Sequence, residues 1–557
     1  MTAVRSLMIA PLAALALTSA AAAAPAVKPS PKLVVTIVID QFGADLFNEY
    51  RSRFTGGMKA LAEQGVVYPN GYQSHAATET CPGHSTIMTG VRPNKSGIPS
   101  NTWLDRATGK DVYCLAAPQN TLADGGPGEN GKVGPDALRA TTLGDWLKAS
   151  AAESRVFAVS GKDRGAINLA GHHGDGVFWF HEGFGFTTYV EPGQDATARL
   201  TAVAPLNARL KARFAKRPQG WTYQHPACKG LESDWTIGGE PFHSALPPAK
   251  FELDYSPILD EVTLEAAGVL LDEQKLGRGP ATDVLNVSLS GTDRIGHRFG
   301  TQGPEMCEQL LRLDTALGGF LAKLKALPGG AVVVLTADHG GSDFPERLRA
   351  RGFSEARRGD PEMLVRANRA LRSYFGLDFD PVVQRGFGLG ANGGLYLLGK
   401  DKMSLAEPQR SAVGRLATVL LNLEPTVENA ELIEDAAAAP PPPRGTNPQE
   451  YTLAQRQTLS AVPGRSADIL LAWKPGITPS VGRPGGTIGG HGTPWDYDRK
   501  VPVLFWWPGS TGQERTLAIE TVDIAPTLAH VIGLSPPADL DGRCLDLGGF
   551  GVAACPP

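Results

Sequence analysis

Leu33-Val34-Val35-Thr36-Ile37-Val38-Ile39 runs without the polar alternation of a half-exposed strand, and it ends on Asp40. A short, continuous apolar run rich in β-branched residues reads as a strand buried on both faces, the kind that builds parallel sheets. Runs of the same character recur at Arg155–Ser160, Val284–Leu289, Ala331–Thr336, Asp468–Trp473 and Val501–Trp506. Helical patterns lie between them, near 55–64, 137–150, 259–275, 304–326, 405–422 and 521–533. This alternation predicts an α/β fold, with a central, mainly parallel sheet flanked by helices. In such sheets ligands bind beyond the carboxyl ends of the strands. Asp40, Ser160–Arg164, Ser290–Asp293 and Asp338–His339 all fall just after such ends.

The chain has 557 residues and a formal charge of −4. So mild a charge gives no reason to expect nucleic acid or an anionic membrane as partner. Arg5 precedes an apolar stretch from Leu7 to Leu17, and small residues follow through Ala24. This is a signal-peptide pattern, residues 1–24, with cleavage near Ala22–Ala24. As a membrane anchor the stretch is short against about 30 Å of hydrocarbon. The mature chain, 25–557, is expected to be soluble, in a periplasm or secreted, and to form one catalytic domain. The loop-rich segment 165–258 is expected as an insertion over the site, and Ala436–Pro443 as a surface linker. Gly183-Phe-Gly-Phe186 has no helix start after it, which argues against a dinucleotide loop. Six cysteines in an exported chain point to disulfides. Cys544 and Cys555, close in sequence, are expected to pair; Cys81–Cys114 and Cys228–Cys307 then follow, out of fifteen possible pairings. No Cys-x-x-Cys occurs, which disfavours a cysteine-based zinc site.

The candidate ligands are Asp40, Asp293, His297, Asp338, His339 and His491, with the hydroxyl of Thr80. Imidazole and carboxylate both suit zinc, and this set suffices for two ions. Asp293 and His297, four apart, share one face of a helical turn. Asp338-His339 precedes Gly340-Gly341, which lets the backbone turn tightly and leaves room for an ion. His491 sits in the flexible loop Gly489-Gly490-His491-Gly492. Thr78-Glu-Thr-Cys-Pro-Gly-His84 precedes a helix-like Ser85–Thr89, and Pro82 suits a first turn. Thr80 then lies near a helix N-terminus, where it serves either as an N-cap or as a nucleophile. Lys162-Asp-Arg164 puts two cations at i and i+2 of an extended segment, on one side, suited to phosphate oxygens. Asn101 offers an amide donor.

With these residues laid out, the chain resembles the alkaline phosphatase superfamily, and most closely its exported, zinc-dependent monoesterases with a threonine nucleophile. The resemblance rests on Thr80-Cys-Pro-Gly-His84 with Thr89-Gly90, Asn101 with Trp103, Lys162-x-Arg164, Asp293-x-x-x-His297, Asp338-His339-Gly340 and His491-Gly492. It implies an alkaline-phosphatase-like sandwich and two Zn²⁺ per chain. Asp293, His297 and His491 would hold one ion; Asp40, Asp338, His339 and Thr80 would hold the other. It implies further that Thr80 attacks phosphorus to give phosphothreonine, and that Asn101, Lys162 and Arg164 bind the remaining phosphate oxygens. The implied substrates are small phosphate monoesters, and the implied state is a monomer. Two alternatives stay open: a nucleotide pyrophosphatase/phosphodiesterase of the same superfamily, and a non-catalytic phosphate-binding protein.

Overall fold

A computed structural model describes residues 30–555 apart from 217–219, 249–251, 387–393, 479–481, 549 and 551–554. The expected leader, 1–24, lies outside the described residues. Leu33–Ile39 is a strand with every residue buried. It sits mid-sheet, in parallel pairing with Asp283–Leu289 on one side and Ala331–Thr336 on the other. Beyond Asp283–Leu289 come Val156–Ser160 and Gly176–His181, both parallel. The two faces of the central strand feed separate cores. Leu33, Val35, Ile37 and Ile39 pack with residues of the helices Ile258–Glu273 and Pro304–Lys325. Val34 and Val38 pack with Ile87 and Met88 of the helix Thr80–Thr89 and with the helices Leu143–Ser150 and Ile524–Val531. An apolar strand without alternation is what such double coverage requires.

The central sheet is mainly parallel, as expected, and three placements refine that reading. Lys500–Trp506 joins the central sheet antiparallel to both Ala331–Thr336 and Val66–Tyr72. Ile469–Trp473 belongs to a different, four-stranded sheet with Val382–Gln384, Leu395–Leu397 and Val427–Leu432. That sheet packs its own core against the helices Met363–Phe375 and Gln409–Asn422. Apolar runs are interchangeable as sequence, so hydropathy does not say which sheet a strand enters. Finally, part of 165–258 is sheet: Gly176–His181 and Gly185–Thr187 complete one edge of the central sheet. The glycines and aromatics of that stretch hid a buried strand. Of the expected linker, Ala436–Ala438 closes the helix Ile433–Ala438, and the prolines follow it.

The helix Leu143–Ser150 starts later than its pattern, because Thr142 and Asp145 form a capping box there. The disulfides are Cys81–Cys114, Cys228–Cys307 and Cys544–Cys555, as expected. No helix among the described residues is long and apolar enough to cross a membrane.

Candidate metal-dependent active site

Four neighbouring parallel strands end level with one another. The register pairs Val38 with Thr336, Ile39 with Leu289, and Ser288 with Ser160. Asp338-His339, Asp40, Asp293 and Lys162 therefore emerge side by side from a single rim. His491 reaches the same rim on a loop pinned at two points. Ser342 N–H donates to the Gly490 carbonyl at 2.9 Å, and Ile488 N–H donates to the His297 carbonyl at 2.8 Å. Asp293 and His297 share the helix Gly291–Phe299, whose first N–H donates to buried Asp260 at 2.8 Å.

The first cluster is Asp40, Asp338 and His339, all fully buried. His339 Nδ1 donates to the Gly340 carbonyl at 2.8 Å, so Nε2 carries a lone pair. That Nε2 lies 3.4 Å from Asp338 Oδ2 and 3.5 Å from Asp40 Oδ1. None of these three atoms has a hydrogen-bond partner. Three buried acceptors facing one another are costly unless a cation lies among them.

The second cluster is Asp293, His297 and His491. His491 Nδ1 donates to the Thr78 carbonyl at 2.7 Å, and His297 Nδ1 donates to the Gly489 carbonyl at 3.3 Å. The remaining Nε2 atoms lie 3.2 Å apart, and 3.2 Å (His297) and 3.4 Å (His491) from Asp293 Oδ1. Ligands about 2.0–2.1 Å from a tetrahedral zinc stand about 3.3 Å from each other, so these separations fit. The rings of His339 and His491 stack with centroids 3.7 Å apart, and Asp293, His339 and His491 also bring ligand atoms together. The two clusters thus adjoin through His339. Without a cation the groups divide: burial pulls His491 down, but Asp293 and its neighbours outweigh it and raise the group to about 9, and burial with Asp293 and Asp338 raises Asp40, whereas two others are held in their ligating forms. Burial and the neighbouring His491 hold the His339 imidazole neutral, well below its usual range. Burial raises Asp293, but Lys162 and His297 outweigh it and keep the group ionised.

Thr80 is buried and occupies the first position of its helix, while Glu79 takes the N-cap without a side-chain bond. Thr80 is therefore not the cap, and the helix begins five residues before the expected Ser85. It sits directly on the strand end: a Cβ at Gly83 would come within 2.3 Å of the Asp338 carbonyl oxygen. His84, one turn on, donates from Nδ1 to the Thr80 carbonyl at 2.9 Å and stands 3.1 Å from Asp338 Oδ2.

The cations are arranged differently from the expectation. Lys162 is extended, but Arg164 already lies in the first turn of the helix Asp163–Ala170. Lys162 Nζ bridges Asp40, at 2.6 Å, and Asp293, thereby linking a carboxylate of each cluster. Arg164 lies beside the Tyr113 hydroxyl and Asp163, which hold its charge against burial, and its buried Nε has no partner. Tyr113 O–H in turn donates to Asp163 at 2.7 Å. Asn101 Oδ1 accepts from Cys81 N–H at 2.8 Å, which leaves its NH₂ group as the free donor. Asn101 N–H donates to Glu79 at 2.8 Å, Cys114 N–H donates to the Asn101 carbonyl at 2.9 Å, and the Cys81–Cys114 disulfide closes the loop. Glu79, Tyr113 and Asp163 escaped sequence reasoning, and His84 stood in the Thr80 motif without a role. Only His84, four residues from Thr80, carried a spacing signal.

The glycines after His339 do not make room for an ion. A Cβ at Gly340 would lie 2.2 Å from the Tyr497 carbonyl oxygen, and one at Gly341 would lie 2.5 Å from Gln41 Nε2. Gln41, buried and at φ +64°, fills the space between Gly341 and Gly296. A left-handed, non-glycine residue directly after Asp40 is the strained backbone that functional sites tend to hold.

A parallel sheet with paired carboxylate–imidazole clusters at its strand ends, and a hydroxyl on the adjoining helix, marks a metal-dependent hydrolase. The chain belongs to the type I phosphodiesterase / nucleotide pyrophosphatase family of the alkaline phosphatase superfamily; the family model matches residues 34–489. It is 39% identical to alkaline phosphatase PhoK of Sphingomonas sp over 93% of this chain and 91% of that protein. It is 36% identical to alkaline phosphatase PhoD of Zymomonas mobilis over 94% and 89%. The crystal structure of alkaline phosphatase PafA superposes with a TM-score of 0.76 at 25% identity, covering 93% of this chain and 99% of that one.

Proposed function

We propose that the chain is an alkaline phosphatase that hydrolyses phosphate monoesters at a two-zinc centre through a phosphothreonine on Thr80. The observation that carries the monoesterase reading is the likeness, over more than nine tenths of the chain, to two proteins named alkaline phosphatases. What supports the metals is the set of buried, unpartnered ligand atoms Asp40 Oδ1, Asp338 Oδ2, His339 Nε2 and Asp293 Oδ1. Asp40, Asp338, His339 and Thr80 would hold one ion, and Asp293, His297 and His491 the other. Zinc there supplies Lewis-acid stabilisation of the attacking and leaving oxygens.

The chain's own groups do the rest. The helix start presents Thr80 Oγ at the rim, where it gives its proton to solvent and bonds to phosphorus as the ester oxygen leaves and takes up a proton from solvent. Water then releases phosphate from Thr80. The Asn101 amide donates to a phosphate oxygen, its orientation fixed by Cys81 N–H. Arg164 contributes its unpartnered Nε and its fixed charge. Lys162 balances Asp40 and Asp293 and adds positive charge facing the phosphoryl group. The three disulfides support an exported, periplasmic or secreted protein.

The family's name favours a second reading, a diesterase. A diester carries one negative charge fewer than a monoester dianion, so Lys162 and Arg164 argue for monoesters. Turnover of p-nitrophenyl phosphate against bis-p-nitrophenyl phosphate decides between them, and a diester preference would overturn the proposal. Acid quenching with ³²P-labelled substrate tests the intermediate. Label on Thr80, absent from Thr80→Ala, is expected; unlabelled protein at steady state argues against it.

A further inference from the structure

We propose that His84 is a positioning residue for the reaction: a single N–H of its ring holds the Thr80 backbone and the Asp338 carboxylate in fixed relation. This inference rests on the reading of Thr80 as nucleophile and Asp338 as metal ligand. His84 is fully buried, four residues after Thr80 on the helix Thr80–Thr89. Its Nδ1 lies 2.9 Å from the Thr80 carbonyl oxygen and 3.1 Å from Asp338 Oδ2. A carbonyl and a metal-binding carboxylate only accept, so Nδ1 carries the proton. Nε2 then accepts from the Ser288 hydroxyl, at 2.8 Å. Ser288 belongs to the strand Asp283–Leu289, which leads to Asp293. The ring is thus engaged at both nitrogens.

What else holds Asp338 shows why this N–H matters. Asp338 Oδ1 accepts from Gln41 N–H at 3.2 Å and from His339 N–H at 2.9 Å. Asp338 Oδ2 has no hydrogen-bond partner and faces His339 Nε2 at 3.4 Å. The positive end of the His84 N–H stands beside that oxygen without capping it, so a lone pair stays available for an ion. Groups that orient a ligating carboxylate in this way tune its hold on a metal. With an apolar side chain at 84, two buried oxygens, the Thr80 carbonyl and Asp338 Oδ2, lose the donor that they share. The helix also presses on Asp338 at Gly83, where a Cβ would come within 2.3 Å of the Asp338 carbonyl oxygen. Gly83 lets the helix approach, and His84 fastens it there. A nucleophile depends on such fastening, because a misplacement of about 1 Å can cost about a hundredfold in rate.

The test compares His84→Asn, His84→Gln and His84→Ala in the full-length enzyme. The amide nitrogen of Asn stands as many bonds from the backbone as Nδ1 of His, and that of Gln as many as Nε2. Asn therefore keeps the donor to Thr80 and Asp338, Gln keeps a partner for Ser288, and Ala keeps neither. The Gln and Ala variants should lose about 10- to 100-fold in kcat/KM for p-nitrophenyl phosphate and bind zinc about tenfold more weakly, the scale for a group that orients a ligand. Competition with a chromophoric chelator reads the zinc affinity. The Asn variant should recover most of both. Asn and Gln each lose one of the ring's two hydrogen bonds, so their Tm values should fall alike. A Gln variant as active as the Asn variant overturns the proposal, as does a Gln variant with the zinc affinity of wild type, or a loss of rate that follows Tm across the three. If the wild type binds no zinc, or if Thr80→Ala keeps the wild-type rate, the reading beneath the proposal has failed and takes it along, and the two failures are distinct.

Discussion

Replacing Asn101 by aspartate and by alanine separates two jobs done by one side chain. Its Oδ1 accepts the Cys81 N–H at 2.8 Å, at the second position of the Thr80 helix, while its NH₂ is free for a phosphate oxygen. Alanine removes both functions. The lost donor to a charged oxygen costs about 1.5–3 kcal/mol, roughly 10- to 150-fold in kcat/KM. The lost helix-terminus acceptor costs about 1 kcal/mol of stability. Aspartate has the same shape and keeps the acceptor, with a negative charge that the helix N-terminus favours by about 0.3–1 kcal/mol. In place of the donor, however, it sets a carboxylate oxygen against the phosphate. Asn101→Asp should therefore be at least as stable as wild type and more stable than Asn101→Ala, yet at least tenfold slower than Asn101→Ala. Urea unfolding measures the first ordering and p-nitrophenyl phosphate kinetics the second. Equal kcat/KM for the two variants, or a faster aspartate variant, would refute both the orientation of the amide and its role.

Lys162→Ala and Arg164→Ala should lower monoester turnover far more than diester turnover, because the second charge of the dianion is what they meet; equal losses on p-nitrophenyl and bis-p-nitrophenyl phosphate would contradict this. Prolonged dialysis against EDTA should abolish activity and lower Tm, since Asp40, Asp293 and Asp338 lose their counter-ions, and zinc should restore both; an unaffected Tm and rate would argue against the clusters as metal sites. Burial lifts the Glu305 carboxyl from its ordinary 4.5 to about 7, against partial relief from Arg347 and Ser244. The folded state thus binds this proton more tightly, so the group's contribution is complete below about pH 4.5 and is lost as pH rises through 7. The stability of Glu305→Gln relative to wild type should rise by about 3 kcal/mol between pH 4.5 and 8 and then level off; a flat difference in urea unfolding would sink the argument.

The strands at 33–39, 284–289 and 331–336 were legible because double burial leaves no polar face, and that pattern is local. The candidate ligands were legible for a related reason. Each follows such a strand or sits in a glycine-flanked loop, and residue type alone limits what can bind a metal. Other features left no local trace. Gly176–His181 hid among glycines and aromatics, and Ile469–Trp473 entered a sheet that its hydropathy does not name.

The sequence by itself determined the chemistry on offer: carboxylates, imidazoles, one hydroxyl and two cations, spaced to meet at strand ends. Only the tertiary structure decided how they are used. It committed Lys162 to Asp40 and Asp293, and turned Arg164 into the first turn of a helix, beside Tyr113. It gave the helix cap to Glu79 rather than Thr80, and spent Gly340 and Gly341 on Tyr497 and Gln41. The physical reason is range. Burial patterns and ligand types are properties of neighbours in the chain, whereas a charge or a hydrogen bond is settled by partners that folding brings from 20 to 300 residues away.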